Sequence, residues 1–309
     1  MPFNIREDYV LPAGLQEALD GAIHLNRPLL LTGEPGTGKT SLADWAAGHL
    51  HDRYAGADFA FSDTPLKFST KTTSQARDLF YAYDALSHFQ AANLRGTTEG
   101  AVFKDYLELQ ALGRAIAYSN PTAELATLVN DELPKRPTGH VVLIDEVDKA
   151  PRDFTNDVLD EIDKLYFRLR EQGNYQVERG AGVPIVIIMT SNSEKNLPDA
   201  FLRRCAFFHI EFPQSGDPKL RLIVENHLGA AAGAKEVSRG ELIDFFYQAR
   251  DAAPRKKPAT AELLGWLELL ELADYHAQDQ AEQERLLATN LGFLVKTQED
   301  LAAVRNLTK

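Results

Sequence analysis

The sequence predicts an α/β fold in which helices flank a parallel sheet, followed by a smaller all-α region. Strand and helix patterns alternate from Leu29 to Phe212, as they do in chains that build parallel sheets. After Pro213 no convincing strand pattern remains, and the periodicity is helical. We therefore predict an α/β domain over residues 1–214 and a helical domain over residues 215–309.

Length and composition agree with this fold class and exclude others. The chain has 309 residues, of which 44% are hydrophobic and 25% are charged, as in folded proteins. A formal net charge of −12 argues against nonspecific binding to nucleic acid. The first ten residues carry charges, and no stretch approaches the roughly 20 apolar residues of a membrane helix. The single cysteine, Cys205, favours a reducing compartment, so we expect a cytoplasmic protein.

The first strand is predicted at Pro28 to Thr32, an unbroken apolar run of the kind that is buried on both faces of a parallel sheet. An amphipathic helix from Leu15 to His24 precedes it, and a helix from Thr40 to Leu50 follows. A glycine-rich turn, Gly33 to Gly38, joins the strand to the second helix. Strand, turn and helix together indicate the start of an α/β unit.

Further strands are predicted at Leu66 to Thr70, His140 to Ile144, Val183 to Thr190 and Ala206 to Ile210. The tract from His88 to Gly100 predicts a mobile loop, and the irregular stretch from Arg168 to Gly182 predicts a hairpin. The remaining patterns are helical. The predicted helices are Gln75 to Ser87, Asp105 to Tyr118, Thr122 to Asn130, Asp153 to Tyr166, Leu220 to Leu228, Arg239 to Ala252, Ala261 to Ala273 and Leu286 onward.

The glycine-rich turn carries the clearest chemical signal. It reads Gly33-Glu34-Pro35-Gly36-Thr37-Gly38-Lys39-Thr40 and fits the phosphate-loop pattern G-x-x-x-x-G-K-[ST]. Such glycines let backbone N–H groups point at a phosphate, and the following helix N-terminus adds partial positive charge. We expect Lys39 to contact the β- and γ-phosphates and the Thr40 hydroxyl to bind Mg²⁺. The alternative, an ordinary glycine turn, is disfavoured by the strand before it and the helix after it.

Two carboxylates, Asp145 and Glu146, follow the apolar strand that ends at Ile144. Carboxyl ends of parallel strands meet at one edge of the sheet, so Asp145 is expected to face the phosphate loop and orient Mg²⁺. Glu146 is expected to take a proton from the attacking water. Alone, an acidic turn after a strand is common; after a phosphate loop it indicates a hydrolytic site.

Polar residues also follow the next strands. Asn192 comes directly after Thr190 and Ser191, where its amide can hold the attacking water or simply begin a turn. Arg203 and Arg204 precede the strand that starts at Ala206. Either is a surface charge or a group that stabilises the transition state on a γ-phosphate, in which case it acts on its own chain or on a neighbour.

These motifs, in this order and followed by helices, resemble those of the AAA+ ATPases, a class of P-loop NTPases, over essentially the whole chain. Within that class they are most similar to the MoxR-type (dynein-related, AAA_5-like) branch. The stretches that carry this similarity are GEPGTGKT, VVLIDEVDKAPRDFTNDVLDEI, TSNSEKNLPDAFLRRC and FFHIEFP.

The resemblance implies an ATPase that uses ATP and Mg²⁺ and forms a ring of identical subunits. We expect this ring to be a hexamer. It implies that Lys39 and Thr40 belong to Walker A, Asp145 and Glu146 to Walker B, and Asn192 to sensor 1. Arg204 aligns best with the arginine finger, with Arg203 in reserve. The remaining implied nucleotide contacts are Ser41 beside the loop and, ahead of the first strand, Tyr9, Val10 and Leu11 at the adenine. The regions Ser74 to Gly100 and Arg168 to Gly182 match places where this branch carries pore-facing insertions.

One departure from the family pattern concerns sensor 2. MoxR-type proteins usually carry an arginine at the start of a lid helix, and here Thr260 takes that position. Lys256 or Lys257 replaces the missing arginine, or the basic run is a solvated turn.

The resemblance implies a chaperone that remodels a protein client, with a von Willebrand factor A domain partner supplied by another chain. One alternative is an NTPase that moves along or loads onto nucleic acid, or that serves a restriction or defence system. In that case the basic groups would contact the phosphate backbone. They are Lys135-Arg136, Arg203-Arg204 and Arg255 to Lys257. Another is a switch that binds ATP and barely hydrolyses it. The acidic charge favours a protein client over nucleic acid.

Overall fold

The computed structural model describes residues 5–95, 103–192 and 197–308. Their contacts divide the chain into two units. The sheet unit comprises Leu11–Gly33 and Lys39–Ile210, and the helical unit comprises Met1–Val10, Glu34–Gly38 and Glu211–Lys309. Neither unit is a single stretch of sequence, whereas the predicted domains 1–214 and 215–309 each are.

Helices and strands alternate along the chain up to Ile210. After it, the elements of the described residues are helical, as predicted. In chain order they are α1 (Ile5–Asp8), α2 (Leu15–His24), β1 (Leu29–Gly33), α3 (Ser41–Arg53), β2 (Ala60–Phe61), β3 (Leu66–Ser69), β4 (Tyr81–Tyr83), α4 (Ala85–Arg95), β5 (Leu107–Leu109), α5 (Ala111–Ser119), α6 (Ala123–Leu128), β6 (Thr138–Asp145), α7 (Arg152–Asp157), α8 (Leu159–Lys164), β7 (Tyr166–Leu169), β8 (Tyr175–Glu178), β9 (Ile185–Ser191), α9 (Asp199–Leu202), β10 (Ala206–Ile210), α10 (Pro218–Leu228), α11 (Ala234–Ala252), α12 (Thr260–Leu272), α13 (Gln280–Leu294) and α14 (Gln298–Arg305).

The sheet unit is built on a parallel sheet, which confirms the predicted fold class. Within the described residues the strand order is β10-β1-β9-β6, and β2 and β3 both pair with β6. Every pairing in this sheet is parallel. Strands β1 and β9 end together, with Thr32 beside Ser191, and β3 and β6 end together, with Ser69 beside Asp145. The phosphate loop, the Asp145-Glu146 pair and Asn192 therefore follow strands that end at one edge of this sheet, whereas Arg203 and Arg204 precede β10 at the opposite edge.

The central strands owe their position to their apolar sequences. Every residue of β1 is buried, and the side chains from Val141 to Ile144 in β6 are at most 1% exposed. Complete burial of a leucine or valine side chain stabilises a fold by about 1.5–3 kcal/mol. A strand with no polar face cannot lie against solvent, so these strands occupy the middle of the sheet with helices on both faces.

The predicted helix from Gln75 to Ser87 is wrong. A short 3₁₀ turn at Ala76–Leu79 is followed by β4, which pairs antiparallel with β5, and α4 begins only at Ala85. The Asp84 carboxylate accepts a hydrogen bond from the Ser87 amide and so supports the start of α4. Residues 88–95, predicted to be a loop, belong to α4, and residues 96–100 of that predicted loop lie outside the described residues.

Two further helices are shorter than predicted. The helix from Asp105 to Tyr118 loses its first part to β5, because Leu107 and Leu109 are buried in a pairing with β4, and it starts at Ala111. The helix from Asp153 to Tyr166 is divided into α7 and α8, and Tyr166 begins β7.

The predicted hairpin is confirmed, since β7 and β8 pair antiparallel. The Thr122 hydroxyl caps α6, which lies where a helix was predicted.

The helical unit packs its helices around Trp266 and Phe246, which are both fully buried. Asp300 is also fully buried, and its carboxylate accepts hydrogen bonds from the Arg255 and Lys256 amides and the Thr297 hydroxyl. Burial raises the pKa of Asp300, but the hydrogen bonds outweigh it and the net pKa is lowered. Asp300 therefore fixes the basic turn that precedes α12.

A membrane-spanning helix needs both length and apolar character, and no helix among the described residues combines the two.

A buried histidine makes the stability of the sheet unit depend on pH. His140 in β6 is 5% exposed beside Tyr118, and burial lowers its pKa from 6.5 to about 4. Between these values the unfolded chain binds a proton that the folded chain does not, so the free energy of unfolding is expected to fall by up to about 3 kcal/mol as pH drops from 6.5 to 4. Urea denaturation across this range measures the effect.

The variant His140→Phe is expected to lose this part of the pH dependence, because phenylalanine cannot titrate. The exposed His24→Phe serves as the control and is expected to keep the wild-type profile. An unchanged slope in His140→Phe contradicts the assignment.

Candidate functional site

Lys39 lies at the end of the phosphate loop and is 7% exposed. Its ammonium donates a 2.8 Å hydrogen bond to the carbonyl oxygen of Gly33, the last residue of β1. A buried ammonium requires such partners, because taking a charge out of water without them is costly. The strand end thus holds one positive charge at the start of α3.

Thr40 and Asp145, both predicted to bind Mg²⁺, are brought together. The Thr40 hydroxyl donates to one carboxylate oxygen of Asp145 over 3.2 Å. The two residues are 105 positions apart and meet because β1 and β6 end at the same edge of the sheet. Ser41, predicted beside them, is the first residue of α3.

Thr190 joins the two acidic residues. Its hydroxyl donates to Asp145 over 2.5 Å and accepts a 2.9 Å hydrogen bond from the Glu146 amide. Thr190 is 1% exposed in β9, the strand beside β6. One buried hydroxyl therefore sets the positions of both Asp145 and Glu146.

Glu146 has a left-handed backbone conformation, with φ of 57° and ψ of 47°. Its carboxylate forms a 2.5 Å ion pair with Lys149, one turn later in the chain. The hydrogen bond to Glu146 raises the pKa of Lys149. Lys149 and Glu146 are 50% and 39% exposed, so water and ligands can reach the pair.

Asn192 follows β9 and is exposed. Its backbone amide donates a 3.3 Å hydrogen bond to the carboxylate of Asp148, two residues after Glu146. This bond brings the ends of β6 and β9 together at the predicted polar residues. The role predicted for the Asn192 side chain stays a prediction.

Arg203 and Arg204 follow α9 and are both exposed. The Arg204 guanidinium donates to the Asp163 carboxylate over 2.9 Å and to the Ala200 carbonyl over 3.2 Å. Exposed ion pairs of this kind contribute about 0–1 kcal/mol, so Arg204 can exchange Asp163 for another anion at little cost.

The predicted adenine contacts Tyr9 and Val10 belong to the helical unit, as do Glu34 to Gly38 of the phosphate loop. The Tyr9 hydroxyl donates to the Gly38 carbonyl over 3.2 Å, and burial raises the pKa of Tyr9. Gly38 has a φ of 83°, and a Cβ there would lie 3.1 Å from the Tyr9 ring. Val10 is half-buried. Tyr9 therefore packs directly on the loop.

The start of α12 lies beside the loop within the same unit. A Cβ added to Gly36 would lie 3.1 Å from Ala259 Cβ and 3.4 Å from the Thr260 nitrogen. Thr260, which takes the position of the sensor 2 arginine in the family pattern, is thus near the loop. Lys256 and Lys257 are exposed. The sensor 2 role of Lys256 or Lys257 stays a prediction.

These residues fit the groups that the sequence implies. The Thr40 hydroxyl and the Asp145 carboxylate offer the oxygen ligands that Mg²⁺ prefers. Lys39 supplies a positive charge on the loop, and Gly36 and Gly38 have positive φ values that turn the backbone as phosphate loops require.

Sequence reasoning missed Thr190, Lys149 and Asp163. A hydroxyl, an ammonium and a carboxylate at these positions resemble ordinary strand and helix residues in the sequence. Their roles depend on contacts with Asp145, Glu146 and Arg204 that only the folded chain makes.

A family model and a solved structure match this chain. The family model described as AAA domain matches residues 23–197, more than half of the chain. No curated protein matches the sequence. A solved structure titled "Structure of C. elegans PCH-2" is 17% identical and is covered over 71% of its own chain and 99% of this one, with a TM-score of 0.44. The family match includes the phosphate loop, the Asp145-Glu146 pair and Asn192, and the chain belongs to the AAA domain family.

Proposed function

We propose that this chain is a Mg²⁺-dependent ATPase. The observation that carries the proposal is the 3.2 Å contact between the Thr40 hydroxyl and the Asp145 carboxylate, linked through Thr190 to the Glu146 backbone. It joins the phosphate loop to two acidic residues at the ends of parallel strands, where nucleotides bind in α/β folds.

The residues divide the work as follows. The phosphate loop and Lys39 bind the phosphates, and Thr40 and Asp145 hold Mg²⁺. The ion, when bound, neutralises charge that develops on the phosphates. Glu146 takes a proton from the attacking water, which requires that its carboxylate leave Lys149 or share it. Asn192 orients that water.

We further propose that the chain forms a MoxR-type ring of six identical subunits. In this ring Arg204 acts on the nucleotide of the neighbouring chain, and Arg203 is the alternative residue for that role. The exposure of Arg204 and its weak pairing with Asp163 support this role. The client is a protein, remodelled with a von Willebrand factor A domain partner from another chain.

Charge pairing supports a protein client over nucleic acid. In the basic groups that were candidates for a phosphate backbone, Arg204 pairs with Asp163 and Arg255 pairs with Glu299. A carboxylate partner reduces the positive potential that a nucleic acid needs. The net charge of −12 acts in the same direction.

ATP turnover by the purified chain tests the proposal. We expect phosphate release that disappears when EDTA removes Mg²⁺ and that rises per chain as protein concentration favours the oligomer. Turnover that duplex DNA stimulates and salt suppresses steeply supports the nucleic-acid alternative instead. Tight ATP binding without turnover at concentrations where the chain is oligomeric contradicts the ATPase.

A further inference from the structure

A second buried cation, Arg250, contacts the phosphate loop from within the helical unit. It lies near the end of α11 and is 7% exposed. Its guanidinium is 3.6 Å from the centre of the Phe212 ring and donates to the Pro258 carbonyl. It also donates to the Glu34 carboxylate over 2.8 Å. Arginine is rarely this buried unless its charge is paired, and Glu34 provides the pair.

Glu34 places a negative charge in the phosphate-loop sequence. It is the only acidic residue between Gly33 and Thr40, and its side chain is 47% exposed. A carboxylate on a loop that binds phosphates repels them unless a cation neutralises its charge. The Arg250 guanidinium neutralises that charge and holds the carboxylate to one side.

Arg250 also holds the chain that borders the loop at another point. The Pro258 carbonyl that accepts its hydrogen bond immediately precedes Ala259, whose Cβ is the atom nearest to a Cβ built on Gly36. One guanidinium thus connects Glu34 at the start of the loop with the residues packed beside Gly36. Its flat face is fixed on Phe212, so it has little freedom to move.

We propose that Arg250 is a positioning residue for nucleotide binding: by pairing with Glu34 it neutralises a repulsive charge on the phosphate loop. This inference rests on the proposed ATPase function. It assigns to Arg250 a role on the loop itself and no contact with the nucleotide.

A double-mutant cycle tests the pairing, with a fluorescent N-methylanthraniloyl derivative of ATP as the probe. Arg250→Met keeps an unbranched apolar side chain on Phe212 but removes the guanidinium that neutralises Glu34, and it is expected to raise the dissociation constant at least tenfold. Glu34→Gln alone removes the charge that Arg250 neutralises, and it is expected to weaken binding less than Arg250→Met does. The double variant is expected to bind the probe at least threefold more tightly than Arg250→Met, because the negative charge at position 34 is absent from it.

The chain contains a matched control. Arg239 is 5% exposed in the same helix and pairs with Glu271, but neither residue contacts the phosphate loop in the described structure. Arg239→Met is expected to lower the melting temperature without changing probe affinity. The loss in Arg250→Met is expected to shrink at 1 M salt, where the Debye length falls to about 3 Å. If Arg250→Met does not fold, Arg250→Gln replaces it, since an amide can still donate to the Pro258 carbonyl.

Failure of this inference and failure of the proposed ATPase function give different results. If the probe binds wild type and Lys39→Ala equally, or binds neither, the proposed function fails. If wild type binds and Lys39→Ala does not, but Glu34→Gln fails to rescue Arg250→Met, Arg250 acts only as a structural residue and the inference is overturned.

Discussion

Replacing Glu146 with glutamine is expected to reduce ATP turnover by a factor of about 10² to 10⁴, the usual contribution of a general base. Glutamine has the same shape but cannot take a proton from water. The hydrogen bond from the residue 146 backbone N–H to the Thr190 hydroxyl does not depend on the side chain. The fold and ATP binding are therefore expected to persist. Steady-state phosphate release measures turnover, and equilibrium binding of the fluorescent probe measures affinity.

The same variant tests whether Arg204 acts between chains. Arg204→Ala is expected to be inactive on its own, and Arg203→Ala is expected to keep activity unless Arg203 is the finger instead. If the arginine serves the adjacent site, mixing Glu146→Gln with Arg204→Ala recovers part of the activity, because some sites then combine an intact Glu146 with an intact Arg204. Full activity in a chain that carries both substitutions contradicts the mechanism.

The largest expected effect on stability is that of Gly113→Ala. Gly113 lies in α5, and a Cβ there would come within 1.9 Å of the Phe80 carbonyl oxygen and 2.6 Å of its carbon. Both are backbone atoms, and the carbonyl already accepts a hydrogen bond from Gln110. Forcing a methyl group into such a space is expected to lower the free energy of unfolding by about 3 kcal/mol or more. Urea denaturation followed by circular dichroism measures it.

Gly21→Ala is the matched control. Gly21 also lies inside a helix of the sheet unit, α2, but nothing lies within 4 Å of a Cβ built there. Alanine is expected to stabilise this helix by about 0.5–1 kcal/mol, because it loses less backbone entropy than glycine. Similar effects of the two substitutions contradict a steric role for Gly113.

The sheet and the positions of the motifs follow from local sequence. Leu29 to Leu31 and Val141 to Ile144 are apolar without alternation, and a strand of that kind has to be buried on both faces. Once both strands are parallel, Gly33 and Asp145 reach the same edge of the sheet. The phosphate-loop pattern and the acidic pair therefore indicate their site without any knowledge of tertiary contacts.

The strand β4 could not be predicted in this way. Tyr81 to Tyr83 is only three residues long, and it is extended because it pairs with β5, more than twenty residues later in the chain. Its flanking residues have good helical periodicity, so local patterns favoured a helix. Non-local pairing overrides local propensity in so short a segment.

Arg250 was missed for a related reason. In the sequence it is one arginine near the end of a polar helix, a common position for a charge that favours the helix dipole. Its importance comes from Glu34, which is 216 residues away along the chain. No periodicity or spacing indicates a contact of that range.

The left-handed backbone at Glu146 has a consequence for how the chain can change. In a regular strand Asp145 and Glu146 would point to opposite faces, and the φ of 57° ends that alternation just where the second carboxylate begins. A residue with a Cβ adopts this conformation at a cost of about 1 kcal/mol, which glycine would avoid. Glycine has no carboxylate, however. With Glu146 as the proposed general base, stability and activity oppose each other at position 146, and substitutions found by screening for stability alone are expected to accumulate there at the expense of turnover.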